Sequence, residues 1–157
     1  MAQVVQSTVD SDDETETAPQ GEDVRSCPEC KTDASWDMKD NLVGLSFVLM
    51  NKDGSCLYGA KANVMTQTVT HAEFKAILWA LRNATEIGYT SIHLQTDCQQ
   101  VLKMIKEEEE WPAFADEIED FTLLKHCFTC FDISYIPRTL NVCADSLAKG
   151  ARSHGFV

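Results

Sequence analysis

The spacing of hydrophobic and polar positions changes part-way along this chain, from a strand-like to a mainly helical pattern. Alternating or continuous apolar stretches at 29–36, Leu42–Met50 and Ser55–Val64 predict three strands. The segment from Asn51 to Gly54, between the second and third strands, is typical of a hairpin turn. We therefore predict an antiparallel meander in the first half of the domain.

The second half alternates between helical and strand-like segments. Apolar residues recur at helical spacing from about Val69 to Gly88, and the glycine is a plausible helix end. The next segments are predicted as strand, helix, helix, strand and helix, over Thr90–Thr96, 98–107, Ala113–His126, Phe131–Ile136 and Asn141–Arg152. The element order βββαβααβα predicts an α/β fold. Its five-stranded mixed sheet would be flanked by helices, since strands that alternate with helices tend to be parallel.

The first 26 residues differ in composition from the rest of the chain. They hold seven acidic residues and one basic residue, a charge of −6, and they lack apolar periodicity. We predict a disordered acidic tail over residues 1–26 and one domain over residues 27–157. The other half of the net charge of −12 lies in that domain. Non-specific attraction to nucleic-acid phosphates is therefore expected to be weak.

The apolar pattern also bears on the compartment. It contains neither a stretch of membrane-spanning length nor a signal sequence, so we expect a monomeric intracellular protein of the nucleus or cytoplasm without membrane contact. The seven cysteines are irregularly spaced, which favours reduced thiols over a disulfide framework.

Two C-x-x-C pairs, Cys27 with Cys30 and Cys127 with Cys130, are candidate zinc ligands. In the predicted fold both pairs precede parallel strands, so they lie at the same end of the sheet. One strand should separate them, which places the pairs about 10 Å apart. Reduced cysteines in the core and at the sheet edge are therefore the favoured interpretation.

Four acidic residues lie at predicted strand ends or inner helix edges: Asp33, Glu73, Asp97 and Asp145. Carboxylates in such places are costly unless a cation compensates them. Hard oxygen ligands select Mg²⁺ or Mn²⁺ over zinc. Two such ions can clamp the attacking and leaving oxygens of a phosphodiester.

Each of these acids also has a purely structural explanation when it is taken alone. Asp97 can cap the helix that follows it, Glu73 can be a first-turn acid, and Asp145 can be an exposed helix residue. Asp33, inside a predicted strand, has the weakest explanation of this kind. The four together, in this element order, favour one metal site at an end of the sheet.

Four stretches carry a resemblance to a known family: Thr32–Trp36, His71–Glu73, Gln95–Asp97 and Pro137–Lys149. From about Cys30 to Arg152 the chain resembles plant ribonuclease H-like domains of the reverse-transcriptase-like, non-LTR retroelement type. The resemblance implies a ribonuclease H fold and hydrolysis of the RNA strand of RNA–DNA hybrids. It also implies that two Mg²⁺ or Mn²⁺ ions are held by the catalytic residues Asp33, Glu73, Asp97 and Asp145.

Three further residues are candidates for substrate binding. Trp36, three residues after Asp33, is placed to contact the nucleic acid. Arg138 lies in the loop before the last helix and can hold a phosphate through two parallel hydrogen bonds. Asn141 is predicted to cap that helix and to anchor the loop. His71, on a different helix face from Glu73, is interpreted as a surface residue.

Two departures from the family pattern leave other functions open. The loop with Arg138 has no histidine where many members carry one, and Lys106–Trp111 is acidic where some members have a basic protrusion. One alternative is a retroelement-derived domain that binds nucleic acid or protein without cutting. Another is an interaction module whose acidic tail and Glu107–Glu110 recruit a basic partner. The four carboxylates favour the enzyme, because an idle site has no need of mutually repelling acids.

Overall fold

The fold is a six-stranded sheet with helices on both faces, and the computed structural model describes residues 3–7, 27–107 and 109–154. The strands are β1 Gln3–Ser7, β2 Glu29–Ser35, β3 Leu42–Met50, β4 Cys56–Val64, β5 Ser91–Thr96 and β6 Cys130–Tyr135. The helices are α1 Val69–Ile87, α2 Gln99–Lys106, α3 Ala115–Lys125 and α4 Val142–His154. Short 3-10 turns at Pro112–Phe114 and Arg138–Leu140 precede α3 and α4.

The strand order across the sheet is β1-β4-β3-β2-β5-β6. The neighbouring strands β1 and β4, β4 and β3, and β3 and β2 pair antiparallel. β5 pairs parallel with both β2 and β6. The predicted α/β fold with a mixed sheet is therefore confirmed. The carboxyl ends of β2 and β5 lie side by side, because Thr32 pairs with Thr96.

β1 is the strand that the sequence did not predict, so the count of five strands is wrong. Gln3–Ser7 runs along the edge of β4, from Gln3 opposite Ala60 to Ser7 opposite Cys56. Val4 and Val5 remain 40% and 58% exposed, so this strand depends on pairing with β4 more than on burial. Residues 8–26 lie outside the described residues. For them the disordered tail stays a prediction, as does a domain boundary at residue 27.

α1 and α4 lie on opposite faces of the sheet. Two successive residues of β3 show this, because neighbouring side chains of a strand point to opposite faces. Phe47 meets the ring of Trp79 in α1 with centroids 5.0 Å apart. Ser46, the preceding residue, donates a hydrogen bond of 2.5 Å to the carbonyl oxygen of Ala144 in α4. α2 and α3 pack beside α1. The side chains that are fully buried in this core include Phe47, Phe74, Ile77, Leu81 and Leu94.

Gly44 allows α4 to approach β3 closely. A Cβ atom at this position would lie 1.7 Å from the carbonyl oxygen of Ala148, which no side chain can do. Ala144, Ala148 and Ala151 are the buried residues of α4, and their small side chains keep the helix near the sheet. This packing fixes the position of Asp145, the predicted ligand that α4 carries.

The ends of the helices agree only in part with the sequence signals. Thr68 caps α1 by accepting a hydrogen bond from the backbone N–H of His71, and Gly88 ends the helix with φ of 109°. The N-cap of α2 is Cys98 without a side-chain cap bond, so Asp97 does not cap this helix as its position allowed. Among the described helices, none combines the length and apolar character that a bilayer span needs.

Candidate metal and substrate site

Three of the four predicted acidic ligands meet at the carboxyl ends of β2 and β5. Asp33, Glu73 and Asp97 each offer a carboxylate oxygen, and these oxygens lie within 4.8 Å of one another. Asp33 lies in β2, Asp97 directly follows β5, and Glu73 comes from the first half of α1. Asp33 and Glu73 are 4% and 5% exposed. The parallel pairing of two strands that are distant in sequence therefore creates the cluster.

The electrostatics of this cluster favour a bound cation. Burial, followed by the charge of Asp97, raises the pKa of Asp33 to about 7. Burial and the charge of Asp33 raise the pKa of Glu73 well above its usual value. A hydrogen bond between these two carboxyls lowers the pKa of Asp33 and raises that of Glu73, so the pair retains a proton between them. Without a cation, the acids therefore cannot all ionise at neutral pH.

The donor atoms of the cluster fit Mg²⁺ or Mn²⁺. All three side chains offer carboxylate oxygens, which are the ligands that these hard ions prefer. Oε2 of Glu73 is buried and has no hydrogen-bond partner among the described residues. A buried oxygen without a partner is costly, and a metal ion would supply the missing interaction.

Asp145 lies at the rim of the site, outside the group of three. Its side chain is 41% exposed, and its Oδ2 atom is 2.9 Å from Nζ of Lys149, one helical turn later. Asp145 nevertheless lines the same cavity of about 360 Å³ as the other three acids. Its charge also contributes to the raised pKa of Asp33. The predicted fourth ligand is thus close to the cluster but paired with a lysine.

Asn141 connects the start of α4 to the acid cluster. Its backbone carbonyl accepts the hydrogen bond of the Asp145 N–H at 3.0 Å, which begins the helix. Its side-chain Nδ2 donates to the carbonyl of Thr32 at 2.9 Å and to Oδ2 of Asp97 at 3.1 Å. The residue is 1% exposed. These contacts favour a role in positioning Asp97 over the predicted substrate contact and side-chain cap.

The other two predicted substrate residues both line the acid cavity. Trp36 is partly buried and donates its ring N–H to the carbonyl of Thr66 at 3.3 Å. Arg138 is exposed on the 3-10 turn before α4. The structure therefore brings an aromatic ring and a guanidinium to the cavity that holds the acids.

Five residues that line the cavity were not predicted as site residues: Ala34, Ser35, Val69, Val142 and Lys149. Lys149 follows Asp145 by four residues, a spacing that puts both on one helix face and could have revealed it. Val69 and Val142 are 44% and 61% exposed at the first positions of their helices. An apolar residue in the sequence is normally expected in the core, so the pattern gave no sign that these two valines face the cavity.

His71 is buried, so its interpretation as a surface residue is wrong. It is 6% exposed, with Nδ1 2.7 Å from the hydroxyl of Thr68 and Nε2 3.0 Å from the carbonyl of Ala113. Its ring stacks on Phe114 with centroids 3.9 Å apart. The backbone N–H of His71 also donates to the Thr68 hydroxyl, so Thr68 is the N-cap, and a threonine just before an apolar helical run was the signal available in the sequence.

Two of the four candidate zinc-binding cysteines lie in contact in the structure. Sγ of Cys27 and Sγ of Cys130 are 3.2 Å apart, so the predicted separation of about 10 Å is wrong for this pair. Among the described residues, which include all seven cysteines, the acid cluster alone brings three metal-ligating atoms within 4.8 Å of one another. Cys30 is fully buried, which raises the pKa of its thiol to about 12. Reduced thiols therefore remain the interpretation that fits.

The chain is similar to a known protein family. A family model described as reverse transcriptase-like matches residues 31–151, a range that contains all four acids. Curated protein sequences gave no match.

Several solved structures are similar to this chain. Ribonuclease H1 from the halophilic archaeon Halobacterium salinarum NRC-1 is 25% identical with a TM-score of 0.74, over 81% of this chain and 98% of that one. The N-terminal RNase H domain of a Mycobacterium tuberculosis protein is 19% identical with a TM-score of 0.72, over 83% and 96%. LC11-RNase H1 in complex with an RNA/DNA hybrid is 18% identical with a TM-score of 0.72, over 81% and 97%. The predicted ribonuclease H fold is therefore confirmed.

Proposed function

Because this chain belongs to the reverse transcriptase-like family, we propose that it is a metal-dependent endonuclease that hydrolyses the RNA strand of RNA–DNA hybrids. The observation that carries the proposal is the convergence of Asp33, Glu73 and Asp97 at one end of the sheet. The similar structure of LC11-RNase H1 contains an RNA/DNA hybrid, which supports this class of substrate.

The residues of the cavity have distinct roles in this proposal. Bound Mg²⁺ or Mn²⁺ would polarise the scissile phosphate and lower the pKa of a water molecule. Asp33, Glu73, Asp97 and Asp145 would hold the two ions, and for Asp145 this means leaving Lys149. Asn141 would keep the carboxylate of Asp97 oriented.

Arg138 and Trp36 would contact the substrate. An arginine stays protonated at every working pH, so Arg138 cannot act as a general base. It can hold a neighbouring phosphate through its guanidinium, while Trp36 provides an apolar wall of the cavity. Since neither residue can take the proton of the attacking water, that proton would pass to solvent.

A domain that binds nucleic acid or protein without cutting is the second candidate. The net charge of −12 favours its protein-binding form, and the ion pair that occupies Asp145 favours the absence of cutting. A chain with this charge repels phosphates, and the repulsion extends over about 8–10 Å at physiological salt. Weak binding of substrate would then limit any cleavage.

The test is a cleavage assay on a labelled RNA–DNA hybrid, with duplex RNA and single-stranded RNA beside it. We expect the hybrid alone to be cut, and cleavage to require Mg²⁺ or Mn²⁺. Asp97→Asn should remove the activity, whereas Asp120→Asn should keep it, because Asp120 lies on α3 and pairs with Arg82. A protein that binds the hybrid without cutting it under both ions would support the second candidate instead.

A further inference from the structure

The loop of residues 36–41, which joins β2 to β3, forms one wall of the acid cavity through Trp36. The ring N–H of Trp36 donates a hydrogen bond to the carbonyl of Thr66. The tip of the loop is open to solvent, with Met38 81% exposed and Lys39 also exposed. The loop therefore combines a residue that reaches the site with a tip that reaches outward.

Arg152 of α4 holds this loop through three side chains. Its Nε donates to the hydroxyl of Ser35 at 2.8 Å, and its Nη1 lies 3.5 Å from a carboxylate oxygen of Asp37. The same Nη1 donates to Oδ2 of Asp40. One guanidinium thus joins the residue before the loop to positions near its beginning and its end.

Arg152 is less exposed than the arginine of an ordinary surface ion pair. Its side chain is 19% exposed, while that of Arg82, which pairs with Asp120 on the other side of the domain, is 52% exposed. A partly buried guanidinium with several partners is screened less by solvent than an exposed pair. A lysine would bring one point charge and could not reproduce the fork of donors.

α4 carries both Arg152 and the acid Asp145, seven residues apart. Seven residues are about two helical turns, so both side chains leave the helix on nearly the same face. The close contact at Gly44 fixes this helix against the sheet. The position of the loop is consequently tied to the same rigid element that places the fourth acid.

We propose that Arg152 is a positioning residue for substrate binding, which holds loop 36–41 as the wall against which a nucleic-acid duplex lies. This inference rests on the proposed function and adds a determinant of substrate affinity to it. Among the described residues, the contacts of Arg152 run to the loop and to Ser35 rather than to the acid cluster. Its loss should therefore raise KM and leave kcat nearly unchanged.

The experiment compares Arg152→Met with Arg82→Met, which removes the same charge from the exposed pair with Asp120. We expect Arg152→Met to raise KM for the hybrid about tenfold with kcat within about twofold, while Arg82→Met stays close to wild type. Arg152→Lys should recover part of the loss. Hybrid binding by fluorescence anisotropy in an Asp97→Asn background should weaken by the same factor as KM rises.

A second variant approaches the same contact from the loop and leaves α4 intact. Asp37→Asn combined with Asp40→Asn removes two negative charges, so charge alone predicts tighter binding of the hybrid. Loss of the Arg152 contacts predicts weaker binding, and that is the result we expect.

Equal KM values for Arg152→Met and Arg82→Met, or tighter binding by the double variant, would overturn the inference. A fall in kcat alone would also overturn it, because the effect would then lie in the acid centre. A wild-type protein that neither binds nor cuts the hybrid would refute the proposed function itself. That outcome is recognised before any variant is measured.

Discussion

The two ends of the parallel strands bring together side chains of opposite character. At the carboxyl end, Asp33 and Asp97 meet beside Glu73, which comes from α1. At the amino end, Cys27 and Cys130 approach to 3.2 Å, although 103 residues separate them. The β2–β5 pairing creates the acid cluster, whereas the two cysteines come from just before β2 and from the start of β6, on either side of β5.

The difference lies in what each cluster needs. The acids are buried like charges that are held back from ionising, so their end of the sheet costs free energy until a cation arrives. The two cysteine sulfurs can instead be held together by a weak S–H···S hydrogen bond, which needs no cation. The comparison teaches that uncompensated charge, more than the convergence of distant residues, marks the functional end of this fold.

The largest expected effect comes from removing one charge at the acid end. Asp97→Asn should lower the single-turnover cleavage rate by about 100-fold or more, because metal binding contributes several kcal/mol to transition-state stabilisation. Cys27→Ser, at the other end of the sheet, is the control and should cut at the wild-type rate. If both variants cut equally well, the difference between the two ends has no functional meaning.

The next effect is expected at the thiol end. Oxidised glutathione should convert the Cys27 and Cys130 thiols to one disulfide, with two molecules of reduced glutathione released. A loop of about 100 residues gives an upper limit of about 4.7 kcal/mol, so we expect a gain of about 2–4 kcal/mol in the free energy of unfolding. Urea unfolding with and without reductant measures it.

Two controls accompany the oxidation experiment. Cys127→Ser, which alters an exposed thiol, should leave the gain intact, whereas Cys27→Ser should abolish it. The cleavage rate should not change on oxidation. Loss of activity together with disulfide formation would show that the two ends of the sheet are coupled.

Asn141→Ala tests how the acid end is held in place. Loss of the bonds to Thr32 and Asp97 should cost about 1–3 kcal/mol of stability, since the bonds are buried. The affinity for Mn²⁺ should fall about tenfold or more, the effect typical of residues that orient a metal ligand. Asn83→Ala, which removes a bond within α1, should leave Mn²⁺ binding unchanged. Unchanged Mn²⁺ affinity in Asn141→Ala would exclude the positioning role.

The fourth expected effect is the pH dependence of the metal-free protein. Asp33 has its pKa raised from 3.8 to about 7 in the folded state, so the folded chain keeps a proton that the unfolded chain releases. Stability from this group is complete below the unfolded pKa and is lost as pH rises through about 7. In chelator, the melting temperature should therefore fall as the pH rises from about 4 to about 7.

Asp33→Asn is the matched variant for this dependence and should flatten it. The variant should also be more stable than wild type at pH 8 in chelator, because the repulsion within the cluster is relieved. Saturating Mg²⁺ should remove the advantage. A wild-type melting temperature that rises over the same pH range would contradict the raised pKa.

The sequence predicted most of the fold because its elements have long, regular apolar patterns. The apolar residues of α1 recur at helical spacing, and β3 is apolar along almost its whole length. β1 was missed because Gln3–Ser7 is short and contributes little burial of its own. Gln3–Ser7 becomes a strand by pairing with the edge of β4, and no local sequence pattern predicts that pairing.

The acid site was predictable to the extent that topology determines it. Asp33 and Asp97 follow from the rule that sites form at the carboxyl ends of parallel strands. The Asn141 bridge and the approach of Cys27 to Cys130 depend on side-chain directions and on the bend before β2. Spacing along the chain carries no information about either.

Gly44 constrains which substitutions homologues of this protein can accept. The residue has no functional group, yet a single added methyl would push α4 outward and displace Asp145 and Arg152 together. A homologue that keeps all four acids but has lost this glycine must have rebuilt the contact between helix and sheet. Homologues chosen for a cleavage assay should therefore have a glycine at this position as well as the four acids.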